Sequence, residues 1–322
     1  MIRALLAAAL CVLALHSAPA NAQAYPTRPV KIVVPFAPGG ATDGMARIIS
    51  ERLGVALGQP IIIESRGGAG GGVGSKFVAE AEPDGYTLLM SPSGGLATGP
   101  VINPAIGYDP AQAFAPIAEL IESPIIFEVN PNLPVHSMAE ALAYAKANPG
   151  KLKFGSQGFG TAPHLLIELF RLETKTDIVL VPYRGTGPLL NAMLAGEVQI
   201  TADPSTTSLP FIQAGKLRAI AIGGATRTAA LPNVPTVVEE GFPYLVSPFW
   251  LAVVAPAKTP PAIIARLNAA FRQALADAQT RKRLDALGAE VKIGTPEDLA
   301  KMLAAERAKW TDVVKRADLK LQ

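Results

Sequence analysis

Short apolar runs rich in β-branched residues alternate with helix-period stretches along almost the whole chain, and this alternation limits the fold more than any other feature. The runs are VKIVV (30–34), PIIIE (60–64), YTLLM (86–90), PIIFEV (124–129), LKFG (152–155), IVLVP (178–182), VQITA (198–202), LRAIAI (217–222) and WLAVVA (250–255). Most are bounded by Gly, Pro or Asn, as buried strands are. Between them the period turns helical. Met45, Ile48, Ile49 and Leu53 share one face, with Thr42 or Asp43 as cap and Gly58 as stop. Ser137 with Glu140 makes a capping box, Thr259 followed by two prolines opens a further helix, and Thr295 opens the last. An α/β protein with a helical C-terminal end follows. The length of 322 residues is at the limit for a single core, so two lobes are expected. With no repeat and no low-complexity linker, the chain must cross between them through ordinary strands.

Residues 1–24 read as a separate object. Arg3 precedes an apolar stretch from Ala4 to Leu15 and then small residues, the pattern of a cleaved secretory signal, too short for a membrane span. The lone cysteine, Cys11, lies inside it, so the mature chain is expected to hold no disulfide and no cysteine metal ligand. Leu10 stands where a lipoprotein signal needs a small residue. Removing the segment leaves 28 Lys and Arg against 26 Asp and Glu, too even a balance for a nucleic-acid binder. An exported protein with no nucleic-acid partner and no cofactor is expected.

Five strand ends run into glycine and hydroxyl residues: PFAPGGATD (35–43), SPSGG (91–95), GSQGFGTAPH (155–164), YRGTGPLL (183–190) and ADPSTT (202–207). Beyond the carboxyl ends of strands the next helix presents unpaired N–H groups and a partial positive charge, which suits an anion. One such loop is ordinary connection chemistry; five make a pattern. The stretch VVPFAPGGATDGMAR holds no cation before Arg47, and Asp43 is placed to cap its helix and face that arginine. GGAGGGVGSK (67–76) meets neither nucleotide fingerprint and reads as the start of a helix. No G-x-S-x-G elbow exists, and His136 and His164, both read as surface or capping residues, make neither a triad nor a zinc site. No catalytic residue and no metal are assigned.

The stretch from Tyr25 to Met90, with VPYRGTGPLLNAMLAGEVQITAD, AGKLRAIAI, LPNVPTVVEEGFP and WLAVVAPAKTPPAIIARLN in that order, closely resembles the Bug-type substrate-binding proteins of tripartite tricarboxylate transporters. The resemblance spans the mature chain. It implies a type II periplasmic binding protein fold: two α/β lobes joined by crossing strands, with a ligand cleft between them. Lobe 1 would comprise 25–122 and 228–322 and lobe 2 123–227, with crossings near 119–125 and 223–232. The family's carboxylates are held by backbone amides, hydroxyls and waters. On this chain that clamp would be Phe36, Gly39, Gly40, Ala41 and Thr42 with Ser91 and Ser93 from lobe 1, and Ser156, Gly160, Thr161, Thr186 and Asp203 from lobe 2. Arg184 stays outside that set. Two loops, SPSGG and GSQGFGTAPH, depart from the family's usual wording, and Phe159 with the added glycines points to a less polar pocket.

A neutral cradle suits capture and release. Charge-assisted hydrogen bonds contribute about 1.5 to 3 kcal/mol each, whereas an unpaired Arg buried in an empty cleft costs several. Four to six such bonds, less ordering and desolvation, leave about 8 kcal/mol, or micromolar affinity. The expectation is a monomeric periplasmic solute-binding protein that gives a small carboxylate (a di- or tricarboxylate, an amino acid or an aromatic acid) to the membrane components of a tripartite transporter. The alternatives are a secreted α/β hydrolase of carboxylic substrates and a ligand-presenting partner of a membrane sensor.

Overall fold

The computed structural model describes residues 25–316, so the export signal assigned to 1–24 and Cys11 lie outside the described residues. Among the described residues ten strands, numbered in chain order, form one continuous sheet in the order β2-β1-β3-β9-β4-β7-β5-β6, with β8 and β10 also pairing β4. The first half contains β1 (Val30–Val34), β2 (Ile61–Ser65) and β3 (Thr87–Ser91), parallel to one another, and β9 (Pro248–Pro256), antiparallel to β3. The second half contains β5 (Lys153–Ser156), β6 (Val179–Pro182) and β7 (Ile200–Pro204), parallel to one another, and β8 (Arg218–Ile222). Strand β4 (Phe114–Val129) joins the halves. Its first part pairs with β9 from Phe114 to Pro124 and with the short β10 (Glu290–Val291), and its last part pairs with β7 and β8.

Sequence reasoning found only the last six residues of β4. Its first part carries Pro116, Glu119 and Glu122, and the register slips between Pro116 and Ala118 and again between Glu119 and Ile121, so side-chain alternation is broken there.

Nine helices of eight or more residues lie among the described residues: α1 (Ala41–Leu57), α2 (Gly72–Ala79), α3 (Met138–Ala147), α4 (Ala162–Thr174), α5 (Thr186–Ala195), α6 (Ser205–Gln213), α7 (Pro261–Ala276), α8 (Ala278–Asp285) and α9 (Pro296–Arg316). Two cores flank the first half of the sheet. One packs Ile32 and Met90 against Met45, Ile49 and Leu53 of α1 and Leu267 and Phe271 of α7; the other packs Val33 and Leu89 against Leu299 and Leu303 of α9. The second half is built on Phe127, Phe154, Leu165 and Phe170.

Where lobe 2 gives way to lobe 1 is visible in these cores. The return had been expected at 223–232. The chain instead stays on the second core through Val237, Phe242 and Leu245, with Val237 N–H bonded to the Ile222 carbonyl at 2.8 Å, and only β9 carries it back, Pro248 lying opposite Pro124. Helix α9 runs across both halves: Leu299 and Leu303 pack on the first, Trp310, Val313 and Val314 on the second.

Local chemistry matches these ends. Gly58 closes α1 in a left-handed conformation, its N–H bonded to the Gly54 carbonyl. Ser137 Oγ accepts the Glu140 N–H at 3.1 Å, while the Glu140 carboxylate accepts the His136 N–H at 2.6 Å. Thr295 and Asp298 exchange equivalent bonds ahead of α9.

Candidate functional site

Strand β1 ends at Val34 because two prolines follow within four residues and remove ladder donors. Gly39, at φ +82°, turns the chain, and Gly40, extended at φ −88° and ψ 177°, is the N-cap of α1. Neither Thr42 nor Asp43 is the cap, as had been expected, because the helix already begins at Ala41 and both sit inside its first turn. Asp43 accepts the Gly39 N–H at 3.1 Å and two Arg47 N–H groups at 2.9 and 3.1 Å. Burial pushes its carboxyl up, but the bonds from Arg47 and Gly39 more than offset this and hold it below the usual carboxylate range. The first cation after the loop therefore neutralises its own helix and takes no part in the cradle.

Three helix starts meet between the two halves of the sheet. Gly40, Ala41 and Thr42 come from α1, Thr161, Ala162 and Pro163 from α4, and Thr186 from α5; Pro92, Ser93 and Gly94, after β3, close a fourth side. The cleft they bound encloses about 550 Å³ when its open mouth is counted. The first-turn N–H groups of these helices have no partner within their own helices. The remaining wall is Phe36, Ile125, Gln157, Pro204, Pro248, Phe249 and Trp250. No charged side chain is among the described residues that line it. Trp250 is held by its indole N–H, which donates to Glu306 of α9 at 3.3 Å.

Of the residues assigned from sequence, Phe36, Gly40, Ala41, Thr42, Ser93, Thr161 and Thr186 line this cleft. The other five stand outside its wall. Gly39 spends its N–H on Asp43 and faces a separate outer groove. Ser91 is buried and donates to the Pro92 carbonyl at 3.0 Å, and Ser156 is buried with no partner for its hydroxyl. Gly160 donates its N–H to His164 Nδ1 at 3.3 Å and accepts from Thr98. Asp203 is fully buried, accepting from Thr186 Oγ1 at 3.2 Å, from Ser208 at 3.4 Å, and from Gln157 and Thr207. Arg184 is outside the wall too, beside an outer groove with Tyr183 and Phe159.

His164 is not at the surface, as had been expected. It is buried under Phe159, ring centroids 5.2 Å apart, and burial pushes its imidazole down to about 4, so it is neutral and accepts the Gly160 N–H. A fully buried second carboxyl, Glu128, shares the sheet face with Asp203 and has no hydrogen-bond partner. Burial, reinforced by the Asp203 charge, pushes it well above the usual range, which keeps it protonated; Asp203 itself is raised to about 6 by burial, against four hydrogen bonds that lower it.

The rims touch. A Cβ on Gly40 would lie 3.6 Å from Thr186 Cβ, one on Gly70 1.9 Å from the Phe159 carbonyl oxygen, and one on Gly160 2.9 Å from Gly99 Cα. Loops of the first half, 36–40, 69–71 and 94–99, therefore meet loops 157–161 and 183–187 of the second in one closed seam.

A family model described as the tripartite tricarboxylate transporter family receptor matches residues 45–319. The chain belongs to that receptor family. Protein BugT of Bordetella pertussis is 38% identical to this receptor over 307 residues, covering 95% of this chain and 94% of its own. The structure of R. palustris Rpa4515 with adipate resembles the receptor with a TM-score of 0.87 at 36% identity, covering 91% of this chain and 98% of that one. MatC (Rpa3494) from Rhodopseudomonas palustris with bound malate gives 0.87 at 36% identity, covering 90% and 100%. The type II periplasmic binding protein fold implied by the resemblance holds for this receptor.

Sequence reasoning missed Gln157, Phe249 and Trp250. Both aromatics sit at the start of β9; Trp250 reads as the first residue of the strand at 250–255, and Phe249 lies just before that run. Gln157 sits in a loop already singled out, but its partners, Ala202 and Asp203, are more than forty residues away. Its one local signal was an amide between two glycine turns.

Proposed function

We propose that this receptor works in the periplasm, closing two hinged lobes on a small organic carboxylate and passing it to the membrane components of a tripartite transporter. The hinge lies where Ser123–Pro124 and Ser247–Pro248 cross side by side, and a single copy of the chain suffices. One observation supports this above the rest: the helix starts of both lobes face one cleft whose wall is neutral. First-turn amides suit an acid group without a cation that would hold it too long. Malate and adipate, bound by the similar structures, are both small carboxylates. The receptor binds and releases its ligand unchanged: neither His136 nor His164 lines the cleft, so no imidazole meets Ser93 there.

The test is a thermal-shift comparison of small carboxylic acids with their primary amides, with product analysis of each mixture. A ligand at a thousand times its dissociation constant stabilises by about 4 kcal/mol, several degrees in melting temperature. Acids that stabilise where their amides do not, without turnover, are the expected result. Equal stabilisation by the amides, or a hydrolysed product, refutes the reading.

A further inference from the structure

The cleft is not uniformly a donor surface. Gln157, 7% exposed, lines its second-lobe side. Its Nε2 donates to the Ala202 carbonyl at 3.1 Å and to the Asp203 carboxylate. Both partners are acceptors, which fixes the amide: turned over, its oxygen would face two oxygens. Oε1 is therefore the free end. It is buried and has no hydrogen-bond partner. Beside it Thr186 Oγ1 gives its proton to Asp203 at 3.2 Å, leaving lone pairs as its remaining capacity. This side of the cleft thus offers acceptors, and the helix starts offer donors.

A plain carboxylate satisfies only half of that wall, because it accepts and donates nothing. Over such a ligand the Gln157 oxygen, already out of water, stays unpaired, a state that costs as much as a lost hydrogen bond and that only a donor relieves. Resting on the carboxylate reading above, we infer that Gln157 selects acids bearing a hydroxyl group, which donates to Oε1, with Thr186 Oγ1 as its neighbouring acceptor. A hydroxyl fits this pair better than an ammonium. It has one proton to place, whereas an ammonium has three and would find two acceptors, with the other proton buried and unmet. Position 157 therefore sets specificity, while the amides of α1, α4 and α5 set the class.

The experiment is calorimetric titration of the purified protein with matched series: propionate, lactate and alanine; succinate, malate and aspartate; 3-phenylpropionate, 3-phenyllactate and phenylalanine. Within the skeleton that binds, the hydroxy acid is expected to bind about tenfold or more tighter than its deoxy partner and tighter than the amino acid. Gln157→Leu is expected to erase the difference between hydroxy and deoxy acids. Should that variant fail to fold, the comparison on the unaltered protein decides alone. Equal affinity for deoxy and hydroxy acids, preference for the amino acid, or a hydroxyl preference that survives Gln157→Leu overturns the inference. If none of the nine acids binds but a neutral solute does, the carboxylate reading itself falls and takes this one with it.

Discussion

Gly70→Ala tests the proposed closure of the two lobes. Gly70 sits at φ +62°, and the added Cβ would lie 1.9 Å from the Phe159 carbonyl oxygen across the seam. Main chain stands on both sides of that contact, so no side-chain rotation relieves it; the loops must part by about 1 Å to bring it to 3.0 Å. That retreat strains the bond from Thr98 Oγ1 to the Gly160 carbonyl, worth about 1 kcal/mol, and draws the α4 and α5 amides away from a ligand seated on α1. Losing two charge-assisted bonds costs about 3 to 6 kcal/mol, so affinity should fall a hundredfold or more. The backbone contribution is smaller, about 1 kcal/mol for alanine in the left-handed region. Gly58→Ala supplies the control, since Gly58 has φ +73° and nothing within 4 Å of its Cβ position. Calorimetry gives the affinity, and small-angle scattering with and without ligand gives the compaction. A Gly70→Ala protein that binds and compacts like the unaltered one would refute closure along this seam.

Two further outcomes follow from buried groups. His164 has its imidazole pushed down to about 4 from 6.5, so the unfolded chain takes up a proton that the folded one refuses; stability falls as pH drops through that interval, by about 3 kcal/mol in all. Urea titrations at pH 7 and pH 4.5 should show His164→Asn losing less stability over this range than the unaltered protein, and equal slopes would contradict the burial argument. Trp310, fully buried on α9 against the second core, should cost about 3 to 5 kcal/mol when cut to alanine, read as a lower urea midpoint; a loss under about 1 kcal/mol would mean that α9 does not tie the two halves together.

Much of this architecture could be read before any coordinates. The strands from Val30 to Val34 and from Ile61 to Ser65 are apolar, β-branched and bounded by proline or glycine, so local chemistry names them. The first part of β4 has a proline, two glutamates and two register slips, and only its pairing with β9 and β10 makes it a strand. The site divides in the same way. The places of Gly40, Ala41 and Thr186 in the cleft wall were legible because strand, glycine turn and helix follow one another within a few residues. Gln157 acquires its role from Asp203 on another strand, and Asp203 in turn from hydroxyls of α5 and α6, a network that has no sequence spacing. The neutrality of the cleft was foreseeable from Arg47, whose natural partner lies one helical turn before it. The burial of His164 was not, because Phe159 covers it only once the loop has folded.

Removal of a single backbone donor tests the amide cradle most directly. Ala41 is the first residue of α1 and lines the cleft, and Gly40 before it is extended, so Ala41→Pro deletes one N–H at the position where proline fits a helix best. Calorimetry with whichever acid the unaltered protein binds should then show affinity reduced at least about tenfold, with the unliganded melting temperature little changed. Unaltered affinity would mean that main-chain donors at the start of α1 do not hold the ligand, and the account of the cleft would be wrong.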